Sequence, residues 1–158
     1  MKHLILIRHA ESAEKVTGQT DKDRELTMEG IRQAASAGAY LRDHSVHVDM
    51  ILSSPASRAE TTSQLIAEQI GTTDLISVED ELYQASVGTL FDMIRNADEH
   101  QNIAVVGHNP AISYFAEFIT GSNVEELRPA STVIMKVPIG NWKELSKGCA
   151  TVLDRFDA

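Results

Sequence analysis

Two histidines stand at the ends of two apolar runs: His9 closes Leu4-Ile5-Leu6-Ile7-Arg8-His9, and His108 closes Ile103-Ala104-Val105-Val106-Gly107-His108. An uninterrupted apolar run of that length reads as a strand covered on both faces. Polar residues just past its end point into the crevice where open α/β sheets bind ligands. A third apolar stretch, Met50-Ile51-Leu52, leads into Ser53-Ser54-Pro55-Ala56-Ser57-Arg58-Ala59-Glu60-Thr61, where a helical pattern opens with Arg58 in its first turn. Two arginines, Arg8 and Arg58, and two histidines are thereby expected to converge at one edge of a sheet. Guanidinium groups grip multi-oxygen anions through paired hydrogen bonds, and helix N-termini add exposed N–H groups. The implied ligand is a phosphoryl group. Neutral imidazole is a good nucleophile toward phosphorus, so one histidine can take the phosphoryl group while the other stabilises charge on its oxygens.

The elements that must position these residues alternate strand and helix, the pattern of a parallel sheet covered on both sides. Strands are expected over 3–8, 49–53, 103–107 and 131–137, with weaker patterns near 75–79 and 150–154. The 131–137 and 150–154 segments would form an antiparallel edge, and Pro138, Ile139, Gly140 and Asn141 supply turn chemistry between them. Thr27 is placed to cap a helix with Ile31, Ala34, Ala35, Gly38 and Leu41 on its apolar face. A second helix starts near Ser57 and carries Thr62, Leu65, Ile66 and Gln69 at the same period. Ser86 is placed to cap a third, with Leu90, Phe91, Ile94 and Ala97. Pro110 suits the first turn of a fourth, with Ile112, Phe115, Ala116 and Ile119 inward and Gly121 at its end. Trp142 and Lys143 read as surface or edge packing, and His3, His44, His47 and His100 sit in contexts that assign them no chemistry. The expected fold class is α/β, a single-domain three-layer αβα sandwich over 1–158 with a mostly parallel sheet and an antiparallel edge.

A chain of 158 residues with 42% hydrophobic content suffices for one domain and one core. Its net charge of −9 argues against nucleic acid as a partner, because such binding needs many phosphates neutralised by lysine and arginine. The lone Cys149 has no internal disulfide partner, and no Cys/His grouping has the spacing of a structural zinc site, so neither metal nor cofactor is expected. The apolar run Leu4 to Ile7 is too short for a signal peptide or a membrane span, so a cytoplasmic location with no membrane partner is expected.

Arg8-His9-Ala10, Ser54-Pro55 with Arg58-Ala59-Glu60-Thr61, and Gly107-His108-Asn109-Pro110, in this order and at these separations, resemble the histidine phosphatase superfamily, whose members are phosphoglycerate mutase-like. The likeness covers nearly the whole chain. The small size, the segment from Asp23 to Gly30 and Leu82-Tyr83-Gln84-Ala85-Ser86 are most similar to its compact, SixA-like branch of phosphohistidine phosphatases. The resemblance implies that His9 carries the phosphoryl group and that Arg8, Arg58 and His108 hold its oxygens. It also implies that Arg24 borders the pocket and meets substrate.

Two departures stand out. Mutases and many phosphomonoesterases of the superfamily have a glutamate two residues after the leucine matching Leu82; here that position is Gln84. Glutamine can hydrogen-bond a water or substrate but cannot serve as a general acid, which favours P–N over P–O cleavage. Glu81 is the nearby substitute acid. The second departure is Ala10, where the family commonly has glycine, a strained choice if the turn needs positive φ. The short chain also lacks the insertions that build lids, and an open site suits a phosphorylated side chain on another protein. The expectation is therefore a metal-independent phosphohistidine phosphatase whose partner is a phosphorylated protein, such as a phosphorelay histidine domain. A phosphatase acting on a small phosphorylated molecule is the alternative, with Glu81 as its acid. A weak phosphate-binding regulatory module is the alternative of another class, and the intact Arg8, His9, Arg58 and His108 speak against it.

Overall fold

Leu4 to Ile7 and Ile103 to Val106 are almost completely excluded from solvent, as strands with helices on both faces must be. They lie within β1 (Lys2–Arg8) and β4 (Asn102–Gly107), which run parallel with Arg8 opposite Gly107. The chain therefore leaves both strands at the same edge of the sheet, and His9 and His108 are the next residues. The structure, a computed structural model, describes residues 1–97 and 99–158.

On the far side of β4 lies parallel β2 (Met50–Ser53), followed by parallel β3 (Ile76–Val78). On the far side of β1, β5 (Thr132–Val137) and then β6 (Thr151–Phe156) pair antiparallel, giving the order β3-β2-β4-β1-β5-β6. The fold is thus a single-domain α/β sandwich with a mostly parallel sheet and an antiparallel edge, as its sequence implies.

Because successive strand residues face opposite sides, β1 divides its apolar residues between two cores. Ile5 and Ile7 pack under α1 (Met28–Asp43) and α2 (Ser57–Ile70), whereas Leu4 and Leu6 pack under α3 (Val87–Arg95) and α4 (Ala111–Thr120). Each fully buried side chain of this kind contributes about 1.5–3 kcal/mol. The helix ends follow their signals. Thr27 accepts the Gly30 N–H, Ser86 accepts the Thr89 N–H, and Gly121 ends α4 at φ 66°. Pro110, joined to Asn109 by a cis peptide, stands at the cap of α4 rather than inside its first turn.

Two expectations are corrected. The inner face of α1 is Gly30, Ala34, Ala37, Gly38 and Leu41, while Ile31 is 39% exposed. The cause is backbone proximity: a Cβ on Gly30 would lie 2.1 Å from the Glu11 carbonyl oxygen, and one on Gly38 would lie 2.9 Å from Ile66 Cα. The helix turns its smallest residues to its neighbours, which a count of large apolar residues does not detect. Trp142 is fully buried rather than peripheral, and its Nε1–H donates to the His100 carbonyl at 2.6 Å. With its one polar atom satisfied, the indole costs little to bury. No helix among the described residues is long and apolar enough to cross a membrane.

Candidate active site

His9 lies one residue beyond β1, its backbone N–H donating to the Gly107 carbonyl at 3.0 Å. Its Nδ1 is 2.7 Å from the Ala10 carbonyl oxygen. A carbonyl can only accept, so Nδ1 bears the hydrogen and Nε2 of the neutral ring carries the lone pair. Nε2 makes no hydrogen bond to the described residues. Burial pushes the His9 pKa down to about 3, helped by His108, Arg58 and Arg8 and opposed by the Ala10 carbonyl. The ring is therefore neutral near pH 7. Ala10 is fully buried and is not among the positive-φ residues, so the turn accepts alanine without strain. Its N–H donates to Thr62 Oγ1 at 3.0 Å, which ties the turn to α2.

His108 lies one residue beyond β4, with its ring centroid 5.1 Å from that of His9 and tilted by 57°. Its Nε2 is 2.7 Å from Ser54 Oγ, which accepts the Ala56 N–H at 3.2 Å and has its own hydrogen to give. The other ring nitrogen, Nδ1, makes no hydrogen bond to the described residues. Burial, then Arg58, lowers the His108 pKa to about 4, with Asp21 opposing.

The two arginines differ in how they are held. Arg8 Nη1 donates to the Leu127 carbonyl at 3.1 Å, but its buried Nε has no partner among the described residues. Such an unmet donor costs about 1–3 kcal/mol, a cost that a bound anion removes. Arg58, 7% exposed in the first turn of α2, donates from Nη1 to the Asp21 carbonyl at 2.8 Å and from Nη2 to the Asp21 carboxylate at 3.1 Å. The structure thus brings Arg8, His9, Arg58 and His108 into one cluster of two neutral rings and two cations.

The other sequence-derived residues stand further out. Arg24 bonds the Ala13 carbonyl, Ser12 Oγ and the Asp21 carboxylate, all within 3.1 Å, so it braces the loop in front of α1. Gln84 is exposed and makes no hydrogen bond to the described residues. Glu81 is exposed on a groove of about 370 Å³ that it shares with Met50, Leu52, Glu79, Asp92 and Met93, and no hydrogen bond joins it to the four. Sequence reasoning missed Asp21 and Tyr83. The Asp21 carboxylate accepts from the Tyr83 hydroxyl as well as from Arg24 and Arg58, which holds it far below the usual carboxylate range, the tyrosine contributing most. The Tyr83 ring meets His108 edge-on at 5.9 Å. In the sequence Asp21 is one of several loop charges, and nothing sets it apart. No group of three or more His, Cys, Asp or Glu among the described residues is arranged to hold a metal ion.

This geometry can be set beside known proteins. The model of the histidine phosphatase superfamily (branch 1) matches residues 4–93. An uncharacterised protein of Mycobacterium tuberculosis is 33% identical over 157 residues, covering 93% of this chain and 96% of that protein. A 2,3-bisphosphoglycerate-dependent phosphoglycerate mutase of a Methylobacterium species is 37% identical over 82 residues, only 49% of this chain and 38% of the mutase. Among solved structures, a putative phosphohistidine phosphatase SixA from Agrobacterium tumefaciens superposes with a TM-score of 0.87 at 24% identity, covering 99% of this chain and 98% of that one. The protein histidine phosphatase SixA complexed with tungstate superposes with a TM-score of 0.83 at 18% identity, covering 97% and 95%. These two likenesses are of fold.

Proposed function

Since the chain belongs to branch 1 of the histidine phosphatase superfamily, we propose that it is a metal-independent phosphatase working through a phosphohistidine on His9, with phosphohistidine borne by another cytoplasmic protein as its substrate. The carrying observation is the Nδ1 contact to the Ala10 carbonyl, which leaves an unprotonated, unpartnered Nε2 beside Arg8, Arg58 and His108. Tungstate, held by one structural relative, is a tetrahedral oxyanion like phosphate, which agrees with an oxyanion site here.

Nε2 attacks phosphorus in line as the bond to the leaving nitrogen breaks. The electron pair of that bond stays on the leaving ring, whose proton on its other nitrogen makes it depart as neutral imidazole. Water then attacks the phosphoryl group on His9, releasing phosphate and restoring the neutral ring. Arg8, Arg58 and His108 hold the oxygens through both steps, and positioning with charge stabilisation is most of what phosphoryl transfer requires. Gln84 supplies no proton to an alkoxide, and Glu81 stands apart on its groove. A nitrogen leaving group needs neither.

The test is to present, in EDTA, a phosphohistidine-bearing protein and separately a panel of phosphate monoesters to the wild-type protein and to His9→Ala. Turnover of the phosphohistidine protein in preference to the monoesters, lost by about a thousandfold or more in the variant, is expected. Preference for monoesters overturns the substrate, and inactivity on both leaves a phosphate-binding module.

A further inference from the structure

Asp21 is a charge that phosphoryl transfer at His9 does not require. It begins the short 3-10 turn Asp21–Asp23, and its side chain is 46% exposed while that of Arg58 beneath it is 8% exposed. It is therefore at the mouth of the site, with His9, 9% exposed, on the floor. Tyr83 meets it from the loop after β3, and Lys22 Nζ lies 4.8 Å from the centre of the Tyr83 ring, so two loops close over Arg58 at this one carboxylate. Its Oδ1 accepts from Arg24 and its Oδ2 from Arg58 and Tyr83, which leaves Oδ1 with unused acceptor capacity.

Orienting Arg58 does not by itself need a negative charge, since the Asp21 backbone carbonyl already holds Nη1. A carboxylate beside a phosphate-binding arginine repels every phosphate dianion and handicaps all substrates alike, unless part of the substrate is cationic. The in-line leaving group must stand opposite His9 Nε2, away from the floor and toward the mouth, where Asp21 is. A phosphohistidine protonated on its other ring nitrogen carries a positive charge there, whereas the oxygen leaving group of an ester carries none.

We propose that Asp21 is a specificity-determining residue: its carboxylate favours a cationic nitrogen leaving group, the protonated imidazole of a phosphohistidine, over the oxygen leaving groups of phosphate esters. The assignment rests on the reading of His9 as nucleophile. The imidazolium N–H donates to Asp21 Oδ1 in the transition state. The P–N electron pair stays on the departing ring, and no proton need come from Asp21.

The experiment compares kcat/KM of wild type and Asp21→Asn on a phosphohistidine peptide, a phosphoserine peptide and para-nitrophenyl phosphate, with thermal unfolding as the check on folding. Asparagine keeps the shape and one acceptor oxygen for Arg58 and Tyr83, gives up the acceptor that meets Arg24, and removes the charge. The variant is expected to lose about tenfold or more on the phosphohistidine peptide, corresponding to one step of tenfold per 1.36 kcal/mol, and to be unchanged or faster on both esters. Asp21→Ser, also neutral and compatible with an exposed turn, repeats the test should Asn fold poorly. Tyr83→Phe, which removes a donor but no charge, should leave the ratio between substrates unchanged. A merely structural Asp21 would lower all three substrates by one factor, and that outcome overturns the assignment while leaving the phosphatase reading intact. A wild-type protein that turns over none of the three overturns both.

Discussion

Strands β1 and β4 carry polar side chains at both ends, and the two ends treat them in opposite ways. Where β1 begins, Lys2 Nζ donates to the His100 carbonyl at 3.0 Å and His3 Nδ1 meets Asn102 Oδ1 at 3.0 Å. The Asp49 carboxylate there accepts the N–H groups of Gln101 and Asn102 at 3.0 and 2.8 Å and pairs with His47 at 2.9 Å. Polar groups at that end are answered by protein. At the other end of the same two strands, the buried Arg8 Nε and the His9 Nε2 have no partner among the described residues. Burial with bonding holds a fold together, while burial without it is a standing cost that a ligand can relieve. The histidines illustrate the contrast: alike in the sequence, His3 and His47 are met by Asn102 and Asp49 at one end, whereas burial strongly perturbs His9 and His108 at the other.

The contrast yields unequal effects on stability and activity. Trp142→Ala, at the saturated end, is expected to destabilise by about 3–5 kcal/mol through the cavity it leaves, while the His100 carbonyl keeps its bond from Lys2. Turnover measured well below the variant's Tm should be unchanged, and urea unfolding alongside kinetics checks both. Arg8→Lys should do the reverse. Losing the planar fork should lower kcat/KM on a phosphohistidine substrate by about a hundredfold, with little change in Tm. A variant that unfolded early with normal kcat would instead make Arg8 a structural residue.

The perturbed end should also set the acid sensitivity of the fold. His9 and His108 have folded pKa values of about 3 and about 4, below the ordinary 6.5, so between these values the unfolded chain binds more protons. Stability must then fall as pH is lowered from 7 toward 4, with a slope near pH 5 of about two protons from this pair. Denaturant unfolding at pH 7, 6 and 5 measures it. The slope should flatten in the His9→Ala/His108→Asn double variant, and a wild-type profile already flat over this range would mean that both rings are solvated. The smallest effect is expected from Asn102→Ala, which removes the His3 contact for about 1 kcal/mol and leaves kcat untouched; a loss of activity there would mean that the two ends are coupled.

Much of this architecture was legible because local and global signals agree. The runs that became β1, β2 and β4 are apolar on both faces, and Thr27, Ser86 and Gly121 mark helix ends by chemistry that acts within a few residues. Legibility failed where the deciding neighbour is distant in sequence. Ile31 faces outward because the Glu11 carbonyl crowds Gly30 and the Ile66 backbone crowds Gly38. Trp142 is buried because the His100 carbonyl meets its N–H. Asp21 reads as one more loop charge until Arg58 and Tyr83, from two other elements, close on it.

The sequence by itself determined the order of strands and helices, the placing of Arg8, His9 and His108 at strand ends, and the absence of a glutamate at Gln84, because period and residue type act along the chain. Tertiary structure alone decided which His9 nitrogen is free, how far burial shifts both histidines, and that a carboxylate from the loop before α1 sits on Arg58. Those properties depend on the distance, desolvation and hydrogen-bond direction of groups that meet only when the chain folds.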